Sequence, residues 1–269
     1  MSLFVQQHAT PSAFTSAPWV ILTPIEQRIK EKIEAVGTPL KDWDIQIYRG
    51  VLTGCNEAFI IDTAKRDEIL SNCQTEEERR QTEALIRPIL RGRDIKRYGY
   101  VDNGLYLINT HNGVKGKIPR IDINDYPAVK AHLDQYWDKI SVRADKGETP
   151  YNLRNCAYLE DFSKPKLFYA DIVQELNFVM SDELMFGNNS VYFISSEDRD
   201  KLLVIQRFLN SKLINWYYRT LSVQLGEHVV RMFSIYVLQI PIPTQSNNNV
   251  YESYGLSSDE IDFIEQKMI

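Results

Sequence analysis

Between residues 78 and 97 the chain carries seven basic side chains against three acidic ones. The densest stretch reads Arg87-Pro88-Ile89-Leu90-Arg91-Gly92-Arg93-Asp94-Ile95-Lys96-Arg97-Tyr98. Guanidinium groups fork onto phosphate oxygens or onto the O6/N7 edge of guanine, so Arg91, Arg93, Lys96 and Arg97 are candidates for gripping a nucleic-acid backbone. The same composition also suits a solvated face on which Asp94 pairs an arginine inside the fold. Three further stretches interleave cations, amides and glycines: residues 111–117 (Asn112, Lys115, Lys117), 143–154 (Arg143, Lys146, Arg154) and 226–231 (His228, Arg231). Such stretches can present side chains to a groove, and each taken alone also reads as an ordinary solvated loop. Within residues 186–189, the pair Asn188-Asn189 can read adenine through a bidentate amide contact or simply make a turn.

Catalytic signatures are missing from the sequence. G-x-x-x-x-G-K-S/T and a post-strand G-x-G-x-x-G are both lacking, as is the G-x-S-x-G nucleophile elbow. The histidines, His8, His111, His132 and His228, are never spaced as H-x-x-x-H, so sequence offers no metal site. The E-x-K triplet that nuclease centres use occurs at Glu265-Gln266-Lys267, in what reads as a frayed tail. The Asn/Asp-Pro-Pro-Tyr/Phe loop that grips a flipped adenine does not occur. The expectation is a chain with no catalytic centre, cofactor or metal of its own.

The elements that must position these loops are partly legible. Residues 1–22 read as an arm or linker. Thr23-Pro24-Ile25-Glu26 is a capping box with proline in the first turn, and Ile25, Ile29, Ile33 and Val36 follow at helical spacing. Gly37 suits a left-handed terminator. Residues 43–48 and 59–61 read as a hairpin around a turn at Gly50 and Gly54. Residues 64–73 and 76–90 read as helices, 105–109 as a strand, and 127–140 as one helix carrying Val129, Leu133, Trp137 and Ile140. Strands are expected at 166–170 and 191–194, one long helix at 198–221, and a strand at 235–242 stopped by Pro241 and Pro243. Residues 245–269 read as a linker and a short, marginal, acidic helix.

With 269 residues, 43% hydrophobic, the chain can bury a core without staples. Strands and helices mix without βαβ alternation, which predicts an α+β fold with a mixed or antiparallel sheet, packed helices, and helical additions at both ends. The main domain is expected at 23–244. Three cysteines, an odd number without C-x-x-C, read as free thiols in a reducing cytoplasm. No apolar run approaches membrane-spanning length. The net charge of −5 confines any DNA binding to one basic face.

Six segments, in order, resemble the C-terminal specificity domain of TaqI-like adenine methyltransferases and of fused type IIG restriction-modification enzymes. They are residues 50–61 (GVLTGCNEAFII), 86–98 (IRPILRGRDIKRY), 126–129 (YPAV), 164–167 (KPKL), 209–213 (LNSKL) and 239–243 (QIPIP). The resemblance covers about residues 24–244 and implies sequence-specific recognition of double-stranded DNA. It implies that an upstream domain of the same parent polypeptide binds S-adenosylmethionine and methylates adenine N6, with magnesium if a restriction endonuclease is fused. Base-contacting residues do not carry over, because they vary with the target. The alternative from charge is a protein-interaction module that docks onto a separate catalytic subunit.

Overall fold

The computed structural model describes residues 22–222, 225, 228–245 and 248–268. The expected arm at 1–22 lies almost wholly outside the described residues, as does Gly226. In chain order the elements are α1 (Pro24–Val36), β1 (Thr38–Pro39), β2 (Gln46–Arg49), α2 (Asn56–Phe59), β3 (Ile60–Asp62), α3 (Thr63–Ser71), α4 (Glu76–Leu85), β4 (Ile86–Leu90), β5 (Ile95–Lys96), β6 (Gly99–Tyr100), β7 (Leu105–Ile108), α5 (Pro127–Asp134) and α6 (Trp137–Ile140). There follow β8 (Lys166–Ala170), β9 (Ile172–Val173), β10 (Val179–Ser181), β11 (Phe186–Gly187), β12 (Val191–Ser195), α7 (Arg199–Leu209), α8 (Lys212–Leu221), β13 (Val230–Arg231), α9 (Ser234–Val237), β14 (Pro241–Ile242), α10 (Val250–Ser253) and α11 (Ser258–Lys267). The fold is α+β: β11 pairs with β4 in parallel, while β1–β14, β2–β12–β8–β10, β3–β7–β4 and β5–β6 pair antiparallel.

The chain divides into two compact units. Unit 2 comprises residues 46–172 and 177–203. It holds two four-stranded sheets, ordered β10-β8-β12-β2 and β11-β4-β7-β3, and the small hairpin β5-β6. One apolar cluster fills it, including Phe59, Leu107, Ile108, Val129, Leu133, Phe162, Phe168 and Phe193. Unit 1 comprises residues 1–45, 173–176 and 204–269. Here Thr23 and Glu26 form the expected capping box, and the strand pair β1-β14 follows α1. Ile29, Ile33, Phe208, Leu213, Trp216, Tyr217, Ile240 and Ile264 are buried.

Several local expectations are corrected. Gly37 is extended, not left-handed; glycine is required because a Cβ there would sit 2.6 Å from Pro241. The predicted hairpin does not form. β2 pairs with β12 and β3 with β7, in different sheets. Gly50 serves close approach: its Cβ would lie 2.1 Å from the Asn188 carbonyl oxygen. Residues 86–90 are a strand, not helix, because they lie between β7 and β11. The helix expected over 198–221 breaks at Ser211, whose hydroxyl caps α8 by accepting from the Ile214 N–H. Residues 235–242 hold a short helix and a two-residue strand.

The C-terminal helix is firmly anchored. Glu260 is 1% exposed, and its carboxylate accepts from Lys32 at 2.7 Å and from the Ser257 N–H at 2.9 Å. Lys267, in the E-x-K triplet expected to fray, donates to Glu26. No helix among the described residues is long and apolar enough to cross a membrane.

Candidate functional site

Two of the three predicted polar loops converge in unit 2. Residues 112–120, 146–148 and 155–157 line one basin of about 1110 Å³. Lys115, Lys117, Arg120 and Lys146 stand on its wall against a single acid, Glu148. Lys115 and Lys117 flank Gly116 at the tip of a tight turn. The Val114 N–H donates to the Ile118 carbonyl, and the Lys117 and Ile118 N–H groups donate back to Val114, all at 2.9 Å. Gly113 makes the turn possible: its φ is +74°, and a Cβ would meet the Ile118 oxygen at 2.5 Å. The two lysines are exposed. Lys117 reaches Glu160 only at 3.7 Å between two open side chains, a pair of little energetic weight.

Buried polar side chains hold the loops together. Asn152 is 1% exposed. Its amide donates to the carbonyls of Thr110, His111 and Ile121, and its oxygen accepts from Thr149 at 2.6 Å. Arg143 donates to the carbonyls of Thr53, Asp145, Pro150 and Asn152 and lies 4.5 Å over the Phe59 ring. Burial pulls its guanidinium down to about 10. Arg143 was expected on an open loop; the structure instead makes it an internal staple, with its two terminal NH2 groups spent on backbone. Asn112 is committed likewise: its amide donates to Asn155, and its oxygen accepts from the Glu148 N–H. Sequence reasoning passed over Asn152 and Thr110, because a buried amide looks like an exposed one until its partners are known.

The arginine-rich segment divides in two. Asp94, 3% exposed, accepts from the Arg91 N–H, Nε and guanidinium NH2, each at 2.9 Å, and from Asn103 at 3.0 Å. Burial pushes its carboxyl up, but these donors, Arg91 foremost, outweigh it and leave it below the usual value. Arg91 is therefore the internal partner. Arg93, Lys96 and Arg97 are exposed.

Arg91 and the predicted amide pair are neighbours. The Asn188 N–H donates to the Leu90 carbonyl at 2.8 Å, and the Gly92 N–H donates to the Ser190 hydroxyl at 3.0 Å. Asn188 is buried, and its oxygen caps a turn by accepting from Ser190, so the turn reading holds for it. Asn189 is exposed. Its carbonyl accepts from Arg49 at 3.0 Å, and the Arg49 carbonyl accepts from Tyr158 at 2.9 Å. Tyr158 directly follows Ala157 of the basin wall, so a hydrogen-bonded path runs from the Arg91–Arg93 segment to the basin. Lys146 donates to the Ser141 carbonyl and Arg154 to Asp145; both remain exposed. His228 and Arg231 lie in unit 1, where the His228 carbonyl accepts from Arg219 and Arg231 sits 5.1 Å from the Phe233 ring.

Titratable groups near the basin are held quiet. Burial lowers His111, whose Nδ1 accepts from the Gly113 N–H. Burial pushes the Cys156 thiol up to about 11, which keeps it protonated and poorly nucleophilic. Apart from these, Lys166 in β8 is wholly buried and drawn down to about 8 by burial, and it donates to the Lys164 and Glu183 carbonyls at 2.8 Å. Among the described residues no group of three or more His, Cys, Asp or Glu is placed to hold a metal ion.

The TaqI-like C-terminal specificity domain matches residues 87–242, more than half the chain, and the chain belongs to that family. One relative of the chain is a type II methyltransferase. The chain is 23% identical over 268 residues to the type II methyltransferase M.PaeR7I of Pseudomonas aeruginosa, a match that takes in 90% of this chain and 44% of that one. The chain thus spans under half the length of this relative. Among solved structures, the type IIG restriction endonuclease BpuSI matches at TM-score 0.55 and 12% identity, over 90% of this chain and 28% of that one. The type IIL restriction-modification enzyme MmeI, solved in complex with DNA, matches at TM-score 0.53 and 14% identity, over 86% of this chain and 28% of that one.

Proposed function

We propose that this chain is the target-reading portion of a site-specific DNA N6-adenine methyltransferase of a restriction-modification system. Duplex DNA binds on the polar loops of unit 2, and the chain contributes no catalytic group. Lys115, Lys117, Arg120 and Lys146 take phosphates, with Arg93, Lys96 and Arg97 extending the grip. Asn189 and the loop side chains around the basin read base edges, since phosphate contacts position a protein while base contacts specify. S-adenosylmethionine binding, adenine methylation and any fused magnesium-dependent endonuclease belong to the rest of the parent polypeptide.

The observation that carries this reading is the gathering of residues 112–120, 146–148 and 155–157 around one cation-rich basin. It concentrates positive charge on a chain whose net charge is −5. The test is selection from a random duplex pool by the full chain at two salt concentrations. Enrichment of one sequence, with affinity falling steeply as salt rises, is expected. Failure to enrich any sequence, even with the methyltransferase portion of the parent supplied, overturns it.

The alternative, a module that docks onto a separate catalytic subunit, draws on the net charge of −5.

A further inference from the structure

The β5-β6 hairpin pairs Lys96 with Gly99, leaving Arg97-Tyr98 as its two-residue turn. Tyr98 is the one non-glycine with positive φ, +61°, among the described residues. That conformation suits glycine, and a bulky side chain rarely occupies it. A glycine stands one residue later, at Gly99, where it is not needed: its φ is not positive, and a Cβ there would meet nothing within 4 Å. Stability alone would favour glycine at position 98. The aromatic ring is instead held 57% exposed at the tip.

The base of the hairpin is rigid. Ile95 is buried, the Val101 N–H donates to the Asp94 carbonyl at 2.8 Å, and Asp94 is locked by Arg91 and Asn103. The tip is cationic. Lys96 and Arg97 are exposed, Lys96 donates to the Arg93 carbonyl at 3.1 Å, and the Arg97 guanidinium lies 5.8 Å from the Tyr98 ring. Backbone strain of this kind, retained at an exposed residue, clusters at functional sites.

We propose that this tip enters a groove of duplex DNA, with the Tyr98 ring wedged at a base step and Lys96 and Arg97 on the flanking phosphates. Inserted side chains of this kind unstack a step and favour sequences that deform readily, so Tyr98 contributes to specificity without a hydrogen bond to any base. The inference rests on the DNA-binding reading above.

The test compares the full chain with its Tyr98→Gly and Tyr98→Phe variants. The probe is the duplex enriched from the random pool, carrying 2-aminopurine at each position in turn. Tyr98→Gly should raise the thermal midpoint and weaken binding about tenfold, the loss expected for one stacking aromatic. Tyr98→Phe should bind within about twofold of the parent, because the ring is kept. The parent chain should brighten 2-aminopurine at one step, and Tyr98→Gly should not. If the parent binds but Tyr98→Gly binds equally, or if no position brightens, the wedge is overturned while DNA binding stands. A Tyr98→Gly midpoint at or below the parent's overturns the strained-turn argument. A parent chain that binds no duplex overturns both readings.

Discussion

Replacing Arg143 by methionine removes the staple under the basin while keeping a long apolar stem over Phe59. Four backbone carbonyls lose a donor, those of Thr53, Asp145, Pro150 and Asn152, and of these Asn152 keeps the Gly147 N–H. A hydrogen bond to a charged group contributes about 1.5–3 kcal/mol net. The four are not additive, and holding the cation in place already costs energy, as the fall of its guanidinium to about 10 records. Leaving buried carbonyls unpaired costs about 1–3 kcal/mol each, and part of that is offset because the buried cation goes with the side chain, so the net loss is on the order of 3–5 kcal/mol. For a chain this size that lowers the thermal midpoint by roughly 6–20 °C. Circular dichroism reads the midpoint, and hydrogen exchange should show residues 110–121 and 143–153 losing protection together. A midpoint within about 2 °C of the parent, or loss of protection in one loop alone, refutes the staple.

Lys115→Ala with Lys117→Ala should leave the thermal midpoint unchanged, since both side chains are exposed, and should reduce the slope of log affinity against log salt by about 2; an unchanged slope would mean that the turn does not touch DNA. Gly50→Ala should cost about 3 kcal/mol or more, because the backbone of Gly187 and Asn188 stands where its Cβ must go and cannot swing aside. Gly99→Ala, with open space around it, should be neutral or stabilise by about 0.5 kcal/mol in urea unfolding; equal effects at the two glycines would refute the steric argument. His111 and His132 are both lowered, first of all by burial. The unfolded chain, with imidazoles near about 6.5, therefore binds more protons below that pH. Stability should be full above about pH 6.5 and fall as pH drops through the folded values, and His111→Asn with His132→Gln should flatten the dependence. Identical urea midpoints at about pH 7.5 and pH 5.5 would contradict this.

The sequence carried its message best where elements are specified locally. The capping box at Thr23, the proline that opens α5, and the apolar strands expected at 166–170 and 191–194 were legible because cap, turn and side-chain period lie within a few residues of one another. The polar loops were legible as loops, and two of the three proved to be neighbours. Long-range pairing stayed hidden. β2 meets β12 about 140 residues away, so the glycines between β2 and β3 suggested a hairpin that tertiary pairing overrides. Residues 86–90 had helical neighbours in sequence and strand neighbours in space. Within the candidate site, Arg143 and Arg93 are the same residue type in similarly polar contexts. One is spent on four carbonyls and the other faces solvent, a difference set by distant parts of the chain. Asn188 and Asn189 divide in the same way.

The two ends of the described chain meet. Glu26 accepts from Lys267, and Lys32 from the first helix grips Glu260 on the last. Within unit 1 the helix Pro24–Val36 is thus tied to the helix Ser258–Lys267, and unit 2 is a long excursion of the chain after Ile45 that ends before Val204, interrupted by residues 173–176. Chain architecture of this kind lets evolution rewrite the excursion as a cassette. Loops of new length and chemistry can be tried there while the seam between first and last helices, and whatever polypeptide is joined to it, keeps its geometry.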